Sequence, residues 1–310
     1  MPLDPQFRTI LDTLEAKGLL PLVRDDAAQT REHYRTLSLS RRGPQFVPEP
    51  VASVADRHSP AGVPVRIFEP CQPRGGTVVY LHGGGWAIGD VETHDPLARR
   101  VANVTGARVV SVGYRLAPEH PFPAGLDDAE HVLRWVGEES PDEPVGVAGD
   151  SAGASLAAGL ALRARDREIP LAAQLLFYPA TDPTMSSASY TANAVGYFLT
   201  RDDMAWFYEQ YLPALSDASE PAGGLAYAEA NLAYANVNRV APAVVATAEF
   251  DPLRDEGAAY TDRLKNAGVL TEYVPGPGLI HGYAAFLGVV DAADATATDA
   301  MEIFGRLLRS

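Results

Sequence analysis

Short apolar runs of strand character alternate with segments of helical periodicity along most of the chain. The runs recur near residues 65–68, 77–82, 107–113, 144–148, 172–178, 243–249 and 271–274. Strands that alternate with helices usually pair in parallel and carry helices on both faces, so this pattern predicts a mainly parallel central sheet. The expected fold class is therefore α/β.

Two segments depart from this alternation. In residues 1 to about 45, the apolar side chains from Phe7 to Leu14 fall at helical spacing and form a stripe that needs a partner. A long insertion separates the strands that end near residue 178 and begin near residue 243, and aromatic residues are dense in its first half. Both segments are expected to be helical additions to the sheet.

The segment Gly149-Asp150-Ser151-Ala152-Gly153 lies between an apolar run and a helical stretch rich in alanine and leucine. A serine at the tip of a tight strand-to-helix turn has a strained backbone, which only small neighbours permit. The strain exposes the hydroxyl at the start of a helix. We therefore predict that Ser151 is a nucleophile, and we interpret Asp150 as structural because its side chain should point away from that hydroxyl.

A serine nucleophile needs a base that is steadied by a carboxylate. In sites built on this turn the partners follow in the order serine, acid, histidine, and of the seven histidines only His281 follows Ser151. Asp251 comes directly after an apolar run, at the carboxyl end of a predicted strand, where open α/β sheets carry their chemistry. We interpret Asp255 and Glu256 as first-turn acids of the next helix.

Three consecutive glycines follow a predicted strand in His82-Gly83-Gly84-Gly85-Trp86. Backbone N–H groups that no Cβ shields can stabilise the negative charge that acyl transfer builds on a carbonyl oxygen. We assign this role to the amides of Gly83, Gly84 and Ala152, and we expect His82 to be a buried brace. The lysine and the Ser/Thr of a phosphate-binding loop are missing, and the spacing is not that of a dinucleotide fingerprint.

Together these segments resemble the hormone-sensitive-lipase group of α/β-hydrolases, especially its bacterial carboxylesterases. The matching segments are His82 to Trp86, Tyr114 to Ala124, Gly149 to Gly153, Tyr178-Pro179, Asp251 to Gly257 and His281-Gly282. The resemblance implies an α/β-hydrolase fold and a serine esterase with Ser151, Asp251 and His281 as its triad. It also supports a helical cap made of residues 1–45 and 181–215 over a catalytic domain made of residues 46–180 and 216–310.

The expected cap limits the size of the substrate. An aromatic-lined lid favours short to medium acyl esters, and the candidates for its pocket are Trp86, Phe198, Phe207 and Tyr211. Ordinary packing between cap helices is the alternative role for these side chains. A deacetylase or an amide hydrolase would use the same triad and oxyanion donors. A non-catalytic small-ligand receptor is a further alternative, since such receptors are built on the same fold, but the receptors that resemble this family lack the catalytic histidine.

The composition limits the kinds of molecule that this chain is expected to bind. A net charge of −15 without long basic runs argues against nucleic-acid binding. The single cysteine, Cys71, and a start without a secretory pattern lead us to expect a cytoplasmic protein, and no apolar segment approaches the roughly 20 residues that cross a bilayer. No metal-ligand spacing is present, so we expect a small-molecule ester as substrate and neither a metal nor a cofactor. A homodimer is the one protein partner that the resemblance suggests.

Overall fold

The central sheet runs through the computed structural model, which describes residues 1–40, 42, 46–213 and 228–310. Within these ranges its eight strands are β1 Ser53–His58, β2 Pro64–Glu69, β3 Thr77–Leu81, β4 Arg108–Val112, β5 Val145–Asp150, β6 Ala173–Phe177, β7 Ala243–Phe250 and β8 Thr271–Ile280. They lie in the order β1-β2-β4-β3-β5-β6-β7-β8. β2 pairs antiparallel with β1 and β4, and the other neighbours are parallel. The predicted mainly parallel sheet is confirmed.

Helices cover both faces of this sheet. They are α1 Pro5–Ala16, α2 Ala27–Ser40, α3 Asp95–Thr105, α4 Ala124–Glu139, α5 Ala152–Asp166, α6 Ser189–Ala192, α7 Arg201–Tyr211, α8 Arg254–Asn266 and α9 Asp291–Leu307. The strands β3, β5 and β6 are buried at every position, which requires cover on both sides. In the described ranges, no helix combines the length and the apolar character that a bilayer crossing needs.

Two strands differ from the sequence-based expectation. β1 is absent from that expectation because five of its six positions are exposed, so it has no apolar run, and pairing with β2 holds it in the sheet. β8 continues beyond the run expected at residues 271–274, through a Pro-Gly-Pro-Gly segment, and ends at Ile280. β8 is an edge strand, and an edge strand tolerates proline because one row of its N–H groups faces away from the sheet.

The N-terminal helices dock on the loops that follow the strands. The ring of Phe7 in α1 meets the ring of Phe286 edge to face, with 5.3 Å between centroids. In α2 the guanidinium of Arg31 donates hydrogen bonds to the carbonyl oxygens of Ala87 and Ala117. These contacts tie the start of the chain to the loops that carry the predicted site.

The second predicted cap segment contains α6 and α7. α7 begins with a capping box, in which the hydroxyl of Thr200 accepts the amide hydrogen of Asp203 at 3.0 Å and the carboxylate of Asp203 accepts that of Thr200 at 3.0 Å. Reciprocal caps of this kind satisfy amide groups that a helix start leaves unpaired. The predicted cap boundaries at residues 45 and 215 lie outside the described residues.

Candidate active site

Ser151 stands at the turn between β5 and α5, with φ at 54° and ψ at −124°. Residues other than glycine seldom take a positive φ, and those that do are concentrated at functional sites. The turn leaves no room on either flank: a Cβ on Gly149 would lie 2.4 Å from the carbonyl carbon of Gly153, and one on Gly153 would lie 2.0 Å from the carbonyl oxygen of Leu81. The turn has the backbone conformation expected of a nucleophile elbow.

The structure brings the three residues of the predicted triad into one hydrogen-bonded row. Ser151 follows β5, Asp251 follows β7 and His281 follows β8, so all three lie at the carboxyl edge of the sheet. Nε2 of His281 lies 2.9 Å from Oγ of Ser151, and Nδ1 lies 2.7 Å from Oδ2 of Asp251. With the proton on Nδ1 donated to the carboxylate, Nε2 is free to accept the proton of the hydroxyl.

The carboxylate of Asp251 is held from its other oxygen as well. The side chain is fully buried, and Oδ1 accepts the amide hydrogen of Leu253 at 2.8 Å. The side-chain amide of Asn193, from the second cap segment, donates to the carbonyl oxygen of Asp251 at 3.0 Å. A buried carboxylate with both oxygens hydrogen-bonded keeps a fixed direction, and it therefore fixes the imidazole plane.

Glu256 lies in the first turn of α8, as the sequence predicts, yet it does not face solvent. Its side chain is buried, and Oε1 accepts the amide hydrogen of Thr181 at 2.7 Å. Oε2 is buried without a partner among the described residues. Burial raises the pKa of Glu256 well above its usual value, so burial favours the neutral form of this carboxyl. Asp255, by contrast, accepts the amide hydrogen of Ser189 at 2.8 Å.

The structure contradicts the assignment of Gly83 to oxyanion binding. Its N–H donates to Oδ1 of Asp150 at 3.0 Å, so that proton is already engaged. Gly84 and Gly85 line a cavity together with Ser151, and within the described ranges their amides and that of Ala152 have no hydrogen-bond acceptor. The candidate donors are therefore Gly84, Gly85 and Ala152. Sequence could not choose among three identical neighbours.

A buried polar cluster lies under the glycine loop. The hydroxyl of Tyr80 donates to the same oxygen of Asp150 as Gly83 does, and Nε2 of His94 lies 3.6 Å from the other oxygen. Burial by itself would raise the pKa of Asp150, but His94 and the hydrogen bond from Tyr80 outweigh it and lower that pKa. Burial, helped by the nearby His94, lowers the pKa of His82 to about 4. Near neutral pH, His82 is thus an uncharged part of the loop.

The cavity over Ser151 is small, with a volume of about 40 Å³. Its wall consists of Leu22, Tyr34, Gly84, Gly85, Ile88, Asp150, Ser151, Phe198, Leu199, Met204, Phe207, His281, Gly282 and Ala285. Of the four predicted pocket residues, Phe198 and Phe207 therefore line it. Trp86 and Tyr211 do not, because their rings stack on each other, with 4.3 Å between centroids and 2° between planes.

Sequence reasoning missed the contribution of the N-terminal segment. Leu22 and Tyr34 line the cavity, yet neither stands in a motif, and the apolar stripe from Phe7 to Leu14 gives no sign of them. Tyr34 is one of the buried positions of α2, and a periodic pattern tells only that such a side chain faces inward. Which part of the protein it meets depends on how the helix docks.

Known proteins share this arrangement of elements. Residues 78–285 match the model of a family described by the alpha/beta hydrolase fold. The carboxylesterase NlhH of Mycobacterium tuberculosis (strain ATCC 25618 / H37Rv) is 40% identical over 303 residues, which cover 94% of this chain and 92% of that protein. An ethyl acetate hydrolase of Pseudomonas putida is 33% identical over 313 residues, covering 95% and 96%. The solved structure of a hyperthermophilic esterase from the archaeon Pyrobaculum calidifontis matches with a TM-score of 0.87 and 38% identity, over 99% of this chain and 100% of that one.

Proposed function

Since this chain belongs to the hormone-sensitive-lipase-like family of α/β-hydrolases, we propose that it cleaves short to medium acyl esters, with Ser151, His281 and Asp251 as its catalytic triad. The α/β-hydrolase fold predicted from the sequence is confirmed. The chain is a carboxylic ester hydrolase, the class to which its curated relatives belong.

One observation carries the triad proposal. The hydrogen-bonded row from Asp251 through His281 to Ser151 opens into the same cavity as Gly84 and Gly85. A nucleophile, its base and free amide donors thus surround one small space, which is the arrangement that acyl transfer requires.

The mechanism follows from these positions. Oγ of Ser151 attacks the ester carbonyl carbon while Nε2 of His281 takes the hydroxyl proton, and the nearby Asp251 stabilises the imidazolium. The amides of Gly84 and Gly85 stabilise the oxyanion, and one such donor is worth about 3 kcal/mol in mutant enzymes. His281 then gives the proton to the leaving alcohol oxygen, and water repeats the sequence on the acyl-enzyme.

The size of the cavity supports the preference for a short acyl group. A volume of about 40 Å³, bordered by Ile88, Met204 and Phe207, suits a small acyl group better than a long chain that is folded on itself. The name of one relative, the ethyl acetate hydrolase of Pseudomonas putida, points to the same size class.

The cap remains part of this proposal. Leu22 and Tyr34 come from the first predicted cap segment, and Met204 and Phe207 come from the second. Because residues of both segments meet over Ser151, we propose that they work together as the cap that excludes water during acyl transfer.

Replacing the nucleophile tests the proposal. Ser151→Ala should lower kcat for p-nitrophenyl acetate by about four or more orders of magnitude with little change in the unfolding temperature. Ser111→Ala is a matched control, since the hydroxyl of Ser111 is also buried but has no partner among the described residues and lies on β4. Undiminished hydrolysis by the Ser151→Ala enzyme would refute the assignment.

Two further measurements separate the alternatives. An organophosphate should add one covalent label to the wild type and none to Ser151→Ala, whereas a non-catalytic receptor would take no label at this serine. Matched esters and amides with the same acyl group then distinguish an esterase from an amide hydrolase. Equal turnover of an acetanilide and of p-nitrophenyl acetate would contradict the esterase assignment.

A further inference from the structure

A second and much larger cavity borders the one over Ser151. Its volume is about 650 Å³, against about 40 Å³ for the cavity over the nucleophile. It lies between α1, α2, α3 and the segment 284–289. Phe198 and Ala285 line both cavities, so these two residues form the wall between them.

The larger cavity has an apolar interior and an apolar mouth. Leu14, Leu37 and Leu97 line its inside. Among the large apolar side chains that the described surface exposes, Val47 and Val289 both line this cavity, with 81% and 56% of their surface accessible. Apolar groups clustered at the mouth of a concave surface are typical of a site that receives an apolar ligand.

Three of the four charged side chains that line this cavity, Arg42, Glu49 and Arg100, have ion-pair partners, and among the described residues only Lys17 of this set has none. Arg100 donates to Glu49 at 2.6 Å and to Asp294 at 2.7 Å. Arg42 donates to Glu92 at 2.5 Å. Paired charges offer little attraction to a charged ligand, so the chemistry of the cavity favours a chain of methylene groups.

Phe198 is held in this wall by its backbone conformation and by the two residues that its ring contacts, Phe286 and Gly282. Its φ is 22°, an unusual value for a residue other than glycine. The ring meets that of Phe286 edge to face, with 6.1 Å between centroids. It also covers Gly282, where an added Cβ would lie 3.6 Å from the ring. The wall therefore stands against the loop that carries His281.

The position of the wall indicates which half of an ester can reach the larger cavity. During acyl transfer Nε2 of His281 must protonate the leaving oxygen, so the alcohol portion lies on the histidine side of the site. The ring of Phe198 covers Gly282, which follows His281 directly, and Ala285 comes three residues later, whereas Gly84 and Gly85 belong to the proposed oxyanion site. The larger cavity is thus on the path of the alcohol.

We infer that the preferred substrates combine a short acyl group with a long apolar alcohol, whose chain passes Phe198 into the larger cavity. This inference rests on the proposed function of Ser151. Phe198 is then the specificity-determining residue, because its ring must turn aside for the alcohol chain to pass. The acyl portion stays in the small cavity.

The test compares acetates of ethanol, butanol and octanol, kept below the concentrations at which they form micelles. For the wild type, kcat/KM should rise at least about tenfold from ethyl to octyl acetate, since each buried methylene favours binding. Ethyl octanoate, with the long chain on the acyl side, should show no such gain. Phe198→Trp should abolish the octyl preference, and Phe198→Ala should keep or increase it.

Two further variants complete the test. Ile10→Trp fills the larger cavity from α1, far from the nucleophile, and should remove the octyl preference. Tyr197→Ala is the matched control, because Tyr197 precedes Phe198 but packs on Phe250 and lines neither cavity. A wild type that hydrolyses ethyl and octyl acetate equally well, or gains only from the longer acyl chain, would overturn this inference and leave the triad proposal standing. An enzyme inactive on all of these esters would overturn both.

Discussion

The carboxylate of Asp150 accepts the amide hydrogen of Gly83 at 3.0 Å. The residue just before the nucleophile therefore holds the loop that lies opposite it. The hydroxyl of Tyr80 donates to the same oxygen, and the three groups are buried. One short side chain thus ties the residue before Ser151 to the glycine loop whose next two amides are proposed to stabilise the oxyanion.

Removing this carboxylate should impair catalysis without removing any reacting group. We expect Asp150→Ala to lower kcat by about 100-fold, because a displaced loop weakens the oxyanion donors. Asp150→Asn should retain most of kcat, since its amide oxygen can still accept from Gly83. The measurement is kcat and KM for p-nitrophenyl acetate, together with urea unfolding as a check on folding. Equal activity of the two variants would contradict the positioning role.

The two glycines of the candidate oxyanion site should respond differently to alanine. A Cβ on Gly85 would lie 2.1 Å from the ring of Phe207, and one on Gly84 would lie 2.2 Å from the carbonyl oxygen of Ile88. Both single variants should lose about 100-fold or more in kcat. Adding Phe207→Ala should restore part of the activity of Gly85→Ala, because it removes the ring in the way. The φ of residue 85, 53°, is open to alanine at modest cost.

Phe207→Ala should not rescue Gly84→Ala, because the added Cβ would clash with the backbone of Ile88. The φ of Gly84 is also 120°, a conformation that alanine rarely adopts. Stopped-flow acylation rates measured for all four variants would check this. Rescue of both glycine variants by Phe207→Ala would show that the clash with the ring is not the cause.

Glu256 should make the protein less stable at high pH. Its pKa is raised in the folded state by burial, so it contributes stability below its unfolded pKa, near 4.5, and that contribution is lost as pH rises. Glu256→Gln keeps the oxygen that accepts from Thr181 and cannot ionise. We expect it to raise the free energy of unfolding at pH 8 by roughly 1–3 kcal/mol, because each unit by which burial raises the pKa of Glu256 costs about 1.4 kcal/mol once the unfolded chain can ionise, and to leave it nearly unchanged at pH 4. Urea titrations at the two values decide this, and a loss of stability at pH 8 would refute it.

His82, in contrast to Glu256, should make the protein less stable at low pH. Burial, with a smaller effect from His94, lowers its folded pKa from 6.5 to about 4, so its contribution is present above pH 6.5 and is lost as pH falls toward 4. The loss is on the order of 3 kcal/mol at most. His82→Asn should flatten the fall in unfolding free energy between pH 6.5 and 4.5, relative to the wild type. A slope that is unchanged in this variant would assign the acid sensitivity to other groups.

Local patterns sufficed to select the three residues that the structure brings into one hydrogen-bonded row. Ser151 could be predicted because its turn demands glycine on both sides, and His281 because the chain order leaves one histidine after it. Asp251 followed from its place at the end of an apolar strand. The alternation of strands and helices was enough for the sheet, since burial on both faces leaves β3, β5 and β6 mostly apolar or small.

Features that depend on distant contacts could not be read locally. Gly83 differs from Gly84 only because the folded chain brings Asp150 to its amide, 67 positions away in sequence. Trp86 turned away from the pocket because Tyr211 offers its ring a stacking surface. Glu256 lies at a helix start, as predicted, yet the segment that begins at Thr181 covers its side chain. No periodic pattern in the sequence contains that information.

The base of the proposed triad directly follows β8, one of the two edge strands of the described sheet. β8 is bordered by β7 alone, whereas β5 lies between β3 and β6. Edge strands open at lower free energy than the middle of a sheet. On heating, His281 should therefore leave its serine while the rest of the molecule is still folded. Thermal inactivation is then a local, reversible event that precedes melting, and brief warming followed by cooling should return full turnover.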